Sequence, residues 1–196
     1  MDFTPTDNQS AIADLAGKIF SEQVGDDYPY SQNINTFDRA LWLLLAEAGL
    51  LGAALSNAQG GSEMSIIEVT PILQAQGKAV VHLPLWQSLA VAQAIQTYAS
   101  TKLKDELLPS FIAGSSHFAL TLQSESALVG TAIPVLENGG LTGSVDNVAF
   151  ADGASSILIA AKDNGGEPCL LLMPAFDGVL QLQETSNGEP HYSLLY

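Results

Sequence analysis

The chain has 196 residues, of which 47% are hydrophobic and 14% charged, with a mean hydropathy of +0.22. This length and apolar content predict a sizeable core and exclude a disordered chain, which would be poor in apolar residues and rich in charge. The 21 Asp and Glu against six Lys and Arg give a net charge of -15. That balance excludes a phosphate-tracking nucleic-acid binder and disfavours an anionic membrane surface.

The compartment is predicted from cysteine usage and from the apolar runs. Cys169 is the single cysteine, so nothing indicates a secreted, disulfide-stabilised scaffold. The segment 1–5 lacks a basic region followed by an apolar stretch, so no signal peptide is predicted. Apolar runs such as Leu41–Ala46 are far shorter than the roughly 18 residues of a membrane span. We therefore expect a soluble, cytoplasmic protein.

Residues 1–114 carry apolar side chains at the three- and four-residue spacing of helices. Pro71 falls inside one of these helices, where we expect it to remove a hydrogen bond or kink the helix. Five helices are predicted. The first has Thr4 as cap and Pro5 in its first turn, the second begins near Thr36 and ends at Gly49, and the third begins at the Ser65–Glu68 capping box and ends at Gly77. The fourth begins at Pro84 and the fifth at Thr101.

After Gly114 the apolar period becomes two, and turn sequences such as Asn138-Gly139 and Asp177-Gly178 multiply. No helix is predicted between these strands, so the fold class is α+β. A helical domain over 1–114 precedes a small antiparallel β-barrel-like or sandwich domain over 115–196. The predicted strands are Phe118–Gln123, Ile133–Leu136, Gly140–Val148, Ser156–Ala161, Cys169–Met173 and Val179–Leu182.

Familiar catalytic and metal-binding motifs are absent from the sequence: it has no P-loop, no G-x-G-x-x-G after a strand, no H-E-x-x-H and no C-x-x-C. The three histidines, His82, His117 and His191, are dispersed, so no metal site is predicted. Cys169 is expected to be a buried, inert thiol. Both tryptophans, Trp42 and Trp86, are expected in the core.

The order of helices and glycines resembles the N-terminal helical domain of acyl-CoA dehydrogenases, and the strands resemble that family's middle domain. The resemblance extends over essentially the whole chain. The residues that carry it are Leu41-Trp42, Glu47, Gly49, Gly60-Gly61, Gly77, Leu108-Pro109 and Ala113-Gly114 in the helices, and Leu141-Thr142-Gly143 and Ala154-Ser155 in the strands.

The resemblance implies FAD as cofactor and an acyl-CoA as substrate. In that family a Glu base removes the α proton of the thioester and the flavin N5 takes the β hydride. In that family the base comes from a C-terminal helical bundle that follows the middle domain. The middle domain of this chain is expected to be incomplete at its C-terminal end. No catalytic residue is therefore predicted in this chain, which alone is expected to be inactive.

Two flavin-contacting motifs of the family depart from its pattern in this sequence. The first is a Ser/Thr-Glu-Pro turn after the first strand. The second is Trp-Ile-Ser/Thr, whose aromatic ring and hydroxyl are both missing here. The corresponding cofactor-binding candidates are Leu122, Gln123 and Ser124 for the first motif and Asn147, Val148 and Ala149 for the second. FAD is accordingly expected either to be bound weakly or to have been lost.

Three hypotheses follow from the sequence. The first is an acyl-CoA dehydrogenase-type flavoprotein, as a fragment or subunit, that performs α,β-oxidation of an acyl-CoA. The second is a non-catalytic structural subunit that pairs with a catalytic acyl-CoA dehydrogenase for a steroid-derived acyl-CoA. The third is an unrelated helical-plus-β binding module. Either of the first two predicts a homo- or hetero-oligomer, because apolar surface needs a partner.

Overall fold

A computed structural model describes residues 4–24, 37–121, 134–137, 140–174 and 179–195. The described residues up to Ser116 form one compact unit, and those from His117 form a second. In the described ranges, no helix combines the length and the apolar character that crossing a membrane requires. Helices fill the first unit and strands the second, so the α+β class is confirmed.

The helical unit has five α-helices in the part of the chain that the structure describes, and one 3-10 turn at Asn57–Gln59. The helices occur in the predicted order. Each is preceded by a residue that favours the start of a helix, which is Pro84 for one helix and a Ser, Thr or Asp cap for the others. The helices are α1 (Asp7–Gln23), α2 (Arg39–Glu47), α3 (Ile66–Ala79), α4 (Leu85–Tyr98) and α5 (Thr101–Ile112).

The cap of α3 is confirmed, and the cap of α1 differs from the prediction. The Ser65 side chain accepts the Glu68 main-chain N–H while the Glu68 carboxylate accepts the Ser65 N–H. In α1 the cap is Thr6 instead of Thr4, because Gln9 lies three residues after Thr6 and completes a reciprocal capping box with it.

Two other predicted boundaries shift by a few residues. Helix α2 begins at Arg39 with Asp38 as its cap, so the residues just after Thr36 precede the helix. Helix α3 continues past Gly77 to Ala79, and Val80 takes the left-handed conformation that ends it, with φ +54°. A left-handed residue at this point closes the last turn by a hydrogen bond from its own N–H.

Trp42 anchors the core of the helical unit. Its side chain is fully buried, and its Nε1–H donates to the Ser116 carbonyl at 3.3 Å. Trp86 differs from the prediction, because half of its surface is exposed. The buried face of α4 includes Leu85 and Leu89, and Trp86 lies about 100° further round the helix on the stripe that faces solvent.

Two of the glycines that carry the family resemblance are required by packing. A Cβ on Gly61 would lie 2.1 Å from the Leu55 carbonyl oxygen. Gly114 has φ +71°, and a Cβ there would lie 2.7 Å from the Cβ of Ala46. Only glycine meets both conditions without moving its neighbours. The glycines of Gly60-Gly61 and Ala113-Gly114 are therefore needed because the backbone there lies close to neighbouring segments, as well as for their turns.

The described strands of the second unit form two sheets and no closed barrel. The first sheet has β1 (Phe118–Thr121), β2 (Val135–Glu137), β3 (Gly140–Thr142), β5 (Ser156–Lys162) and β6 (Pro168–Pro174). The second has β4 (Ser144–Ala149), β7 (Leu180–Gln183) and β8 (His191–Leu195), in the order β4-β8-β7.

The expectation of wholly antiparallel pairing is corrected by the first sheet. Strands β1 and β2 both pair parallel with β5, whereas β6 pairs antiparallel with it. Gly143, with φ +127°, also divides the predicted strand Gly140–Val148 into β3 and β4. Alternation of apolar residues predicts that a segment is a strand but carries no information on the direction of its neighbour.

The β unit has its own apolar core. It includes Ala119, Val145, Val148, Ile157, Ile159, Tyr192 and Leu194. Cys169 is only half-buried, contrary to the prediction, because among the described strands β6 pairs with β5 alone and so lies at an edge of the sheet.

Candidate functional site

The described cofactor candidates lie on β4. Asn147, Val148 and Ala149 form the second half of this strand, which pairs antiparallel with β8. The other candidates, Leu122, Gln123 and Ser124, lie outside the described residues. The candidate site is therefore built from β4 and the two strands that follow it across the sheet.

A β-bulge interrupts β4 at the candidate residues. Val145 is opposite Leu194 and Val148 is opposite Tyr192, so two β4 residues, Asp146 and Asn147, face the single residue between the two β8 positions. Asn147 takes a left-handed conformation with φ +58°. A bulge of this kind re-aims side chains and leaves main-chain groups without their ladder partners.

The bulge separates the three candidates by exposure. Asn147 is exposed. Val148 is fully buried in the β core, and only 5% of the Ala149 surface is accessible. Only Asn147 of the three thus presents its side chain to a ligand. Among the described residues that side chain makes no hydrogen bond, whereas its main-chain N–H donates to Gln183 Oε1 at 3.2 Å.

A closed hydrogen-bonded ring surrounds the bulge. The Ser193 hydroxyl donates to Asp146 Oδ1 at 2.6 Å and accepts from Gln183 Nε2 at 2.7 Å. Gln183 Oε1 then accepts the Asn147 N–H, and the peptide between Asp146 and Asn147 completes the ring. The ring thereby supplies the partner that the bulge removes from the ladder.

Sequence reasoning did not find Gln183 or Ser193. The alternation Leu180-Gln181-Leu182-Gln183 does predict that the glutamines share one face of β7. Ser193 alternates in the same way with Tyr192 and Leu194, which are buried, so its side chain is predicted to lie on the opposite face of β8. The contacts themselves join residues 36 and 47 positions apart, and no local pattern predicts which of them meet.

Three titratable side chains on or next to the strands of this unit, Tyr192, His117 and His191, lie in defined surroundings. Burial, and to a smaller extent the charge of Asp152, raises the pKa of Tyr192, which favours its neutral phenol in the core. His117 Nε2 lies 3.0 Å from the Phe150 carbonyl oxygen, and His191 lies 3.7 Å from the Glu189 carboxylate. In the part of the chain that the structure describes, no group of three His, Cys, Asp or Glu side chains could hold a metal ion.

Comparison with known proteins identifies the family. Residues 6–115, more than half of the chain, match the model of the acyl-CoA dehydrogenase N-terminal domain. The chain belongs to the acyl-CoA dehydrogenase family. Acyl-CoA dehydrogenase FadE27 of Mycobacterium tuberculosis is 25% identical over 183 residues, which cover 91% of this chain and 49% of that relative. The chain thus spans about half the length of the curated relatives it matches.

Solved structures share the fold. A variant of the steroid acyl-CoA dehydrogenase Tcur3481-Tcur3483 is 28% identical, covers 95% of this chain and 54% of its own, and superposes with a TM-score of 0.83. The ChsE4-ChsE5 complex from Mycobacterium tuberculosis is 23% identical, covers all of this chain and 55% of its own, and has a TM-score of 0.85.

Members of the acyl-CoA dehydrogenase family are FAD-dependent oxidoreductases of lipid metabolism, so the donor set of β4 can be compared with a flavin. The isoalloxazine ring presents carbonyl oxygens and ring nitrogens along one edge, and the exposed Asn147 amide offers both donors and an acceptor to such an edge. The exposed Asn147 side chain therefore has the donors and the acceptor that such an edge requires, whereas the side chains of Val148 and Ala149 are buried.

Proposed function

We propose that this chain is part of an FAD-dependent acyl-CoA dehydrogenase that oxidises the Cα–Cβ bond of an acyl-CoA thioester in the cytoplasm. The observation that carries the proposal is the match of the helical unit to the acyl-CoA dehydrogenase N-terminal domain. Its family match over residues 6–115 includes glycines that the packing requires, Gly61 beside the Leu55 carbonyl and Gly114 beside Ala46. The family match and these contacts together support a helical framework of the acyl-CoA dehydrogenase type.

The chain's own contribution to the chemistry is to hold and orient the cofactor. FAD, when bound, supplies the hydride acceptor. Asn147, carried on the β4 bulge, would bind the polar edge of the ring through its side-chain amide. Leu122, Gln123 and Ser124 are proposed as further contacts, as the family resemblance implies. The proposed base lies in the half of the relatives that this chain does not span.

Charge supports a site shared with other residues. The phosphates of CoA require cationic partners, and the sequence has only six Lys and Arg in a net charge of -15. We therefore propose that residues outside this chain supply most of the CoA contacts. A second acyl-CoA dehydrogenase polypeptide is the proposed partner, since one neighbour is named as a complex of two unlike chains.

A steroid-derived acyl-CoA is the proposed substrate class. The Tcur3481-Tcur3483 enzyme is named as a steroid acyl-CoA dehydrogenase, and at 28% identity it supports more than a shared fold. Turnover of a steroid side-chain CoA thioester by the assembled enzyme, and not of a straight-chain acyl-CoA of similar carbon number, would support this class. The reverse preference would contradict it.

A second candidate function is a non-catalytic subunit that stabilises a catalytic partner. The observation that favours it is the composition of β4, where Asn147 and Ala149 replace the aromatic and hydroxyl residues that the family resemblance implies. A neutral hydrogen bond and an aromatic stacking contact are each worth about 1 kcal/mol. Losing both contacts raises the FAD dissociation constant by roughly thirtyfold if no other contact compensates.

The experiment that separates the candidates is purification of the chain with and without a co-expressed acyl-CoA dehydrogenase partner. Bound flavin is measured by its visible absorbance and dehydrogenation by reduction of an artificial electron acceptor. The first candidate predicts flavin released from this chain on denaturation. The second predicts flavin only with the partner and activity only in the mixture. A chain that binds neither FAD nor any such partner contradicts both.

A further inference from the structure

The ring around the β4 bulge fixes the direction of every hydrogen bond in it. The Ser193 hydroxyl donates to Asp146 Oδ1 at 2.6 Å. The hydroxyl oxygen then accepts from Gln183 Nε2. This orientation turns Gln183 Oε1 toward the Asn147 N–H. The Asp146 carboxylate thereby sets the orientation of the Gln183 amide through the Ser193 hydroxyl.

Asn147 has a backbone conformation that is uncommon for a residue other than glycine. A glycine would adopt φ +58° freely, whereas any other residue there is strained, with Asn among those that tolerate it best. Within the described residues the Asn147 amide makes no hydrogen bond that would offset the strain. Such residues persist where the surroundings over-determine them, and they cluster at ligand sites.

We infer that Gln183 and Ser193 are positioning residues, which lock the β4 bulge so that the Asn147 side chain faces the flavin ring. This inference rests on the proposed function and deepens it. Ser193 on β8 is buried and Gln183 on β7 is half-buried, and their side chains make their hydrogen bonds within the ring. They hold the peptide that carries the contact, so that the amide is oriented before the ligand arrives.

The test uses variants of the full chain, together with its partner if flavin binding requires one, titrated with FAD. Asn147→Gly removes the amide but keeps the backbone conformation. It should weaken FAD about fivefold, the value of one neutral hydrogen bond, and shift the flavin absorbance without lowering the thermal midpoint. Gln183→Leu and Ser193→Ala should weaken FAD by a similar factor, and Ser193→Thr, which keeps the hydroxyl, should restore binding.

The matched control is Gln181→Leu, which changes an exposed glutamine of the same strand that is outside the ring. It should leave both the FAD dissociation constant and the flavin spectrum unchanged. If Asn147→Gly and Gln183→Leu also leave them unchanged, the positioning role is overturned while the flavoprotein assignment stands. If the wild-type assembly holds no flavin, the proposed function itself fails.

Discussion

The Gln9 side-chain amide donates to the Ile67 carbonyl oxygen at 3.3 Å and so joins the first turn of α1 to α3. Ile67 lies four residues before Pro71, which has no N–H to donate to it. The same Gln9 side chain accepts the Thr6 N–H through its Oε1 atom and closes the α1 cap. Gln9 thus caps its own helix and also satisfies the Ile67 carbonyl that Pro71 leaves without a donor in α3.

The Gln9–Ile67 contact predicts a coupling between Gln9 and Pro71. Gln9→Glu keeps the accepting oxygen of the capping box but cannot donate to Ile67, so it should destabilise the protein by about 1 kcal/mol. In a Pro71→Ala background the new N–H satisfies Ile67, and the same change should have a much smaller effect. Urea unfolding of the four proteins gives the interaction energy. Equal effects in both backgrounds would refute the compensation.

The Glu68 carboxylate predicts an acid-side dependence of stability. Hydrogen bonds from the Asn8 side chain and then from Ser65 lower the pKa of Glu68 below its ordinary value. A lowered folded-state pKa contributes stability above the unfolded-state pKa, and that contribution is lost as the pH falls through the folded value. Asn8→Ala should therefore raise the Glu68 pKa, measured by NMR titration of its carboxyl carbon. An unchanged pKa would mean that the Asn8 contact is absent in solution.

Two glycines predict opposite responses to alanine. Gly61→Ala places a Cβ 2.1 Å from the Leu55 carbonyl oxygen and should destabilise the helical unit by about 3 kcal/mol. Gly77 lies inside α3 with nothing within 4 Å of its added Cβ. Gly77→Ala should stabilise the chain by about 0.5–1 kcal/mol through helix propensity. Thermal unfolding followed by circular dichroism measures both, and a Gly61→Ala protein as stable as wild type would contradict the packing argument.

The two tryptophans predict separable fluorescence signals. Trp42→Phe removes the buried indole and its bond to the Ser116 carbonyl, and should destabilise the chain by about 2–3 kcal/mol. Its remaining emission, from Trp86, should be red-shifted and readily quenched by acrylamide. Trp86→Phe should leave stability within about 0.5 kcal/mol and retain blue-shifted, protected emission. Similar quenching of both variants would show that Trp42 is not enclosed in solution.

Local chemistry makes much of the helical unit predictable. The Ser65–Glu68 box and the position of Pro84 act over a few residues, so the sequence alone indicates where α3 and α4 begin. Pro5 resembles a first-turn proline and favours Thr4 as the α1 cap, whereas Gln9 decides the cap through a hydrogen bond back to Thr6. The exposure of Trp86 escapes prediction because an apolar helix gives no periodic indication of its exposed stripe.

The amino-acid sequence was sufficient for the α+β class, the order of the elements and the glycine frame that places the chain among the acyl-CoA dehydrogenases. Three-dimensional folding was needed to establish the parallel pairing of β1 with β5, the Gln9–Ile67 bond and the ring that ties Asn147 to Gln183 and Ser193. The difference lies in distance along the chain. Helix caps and turns form between near neighbours, whereas these contacts join segments that meet only after each unit has folded around its core.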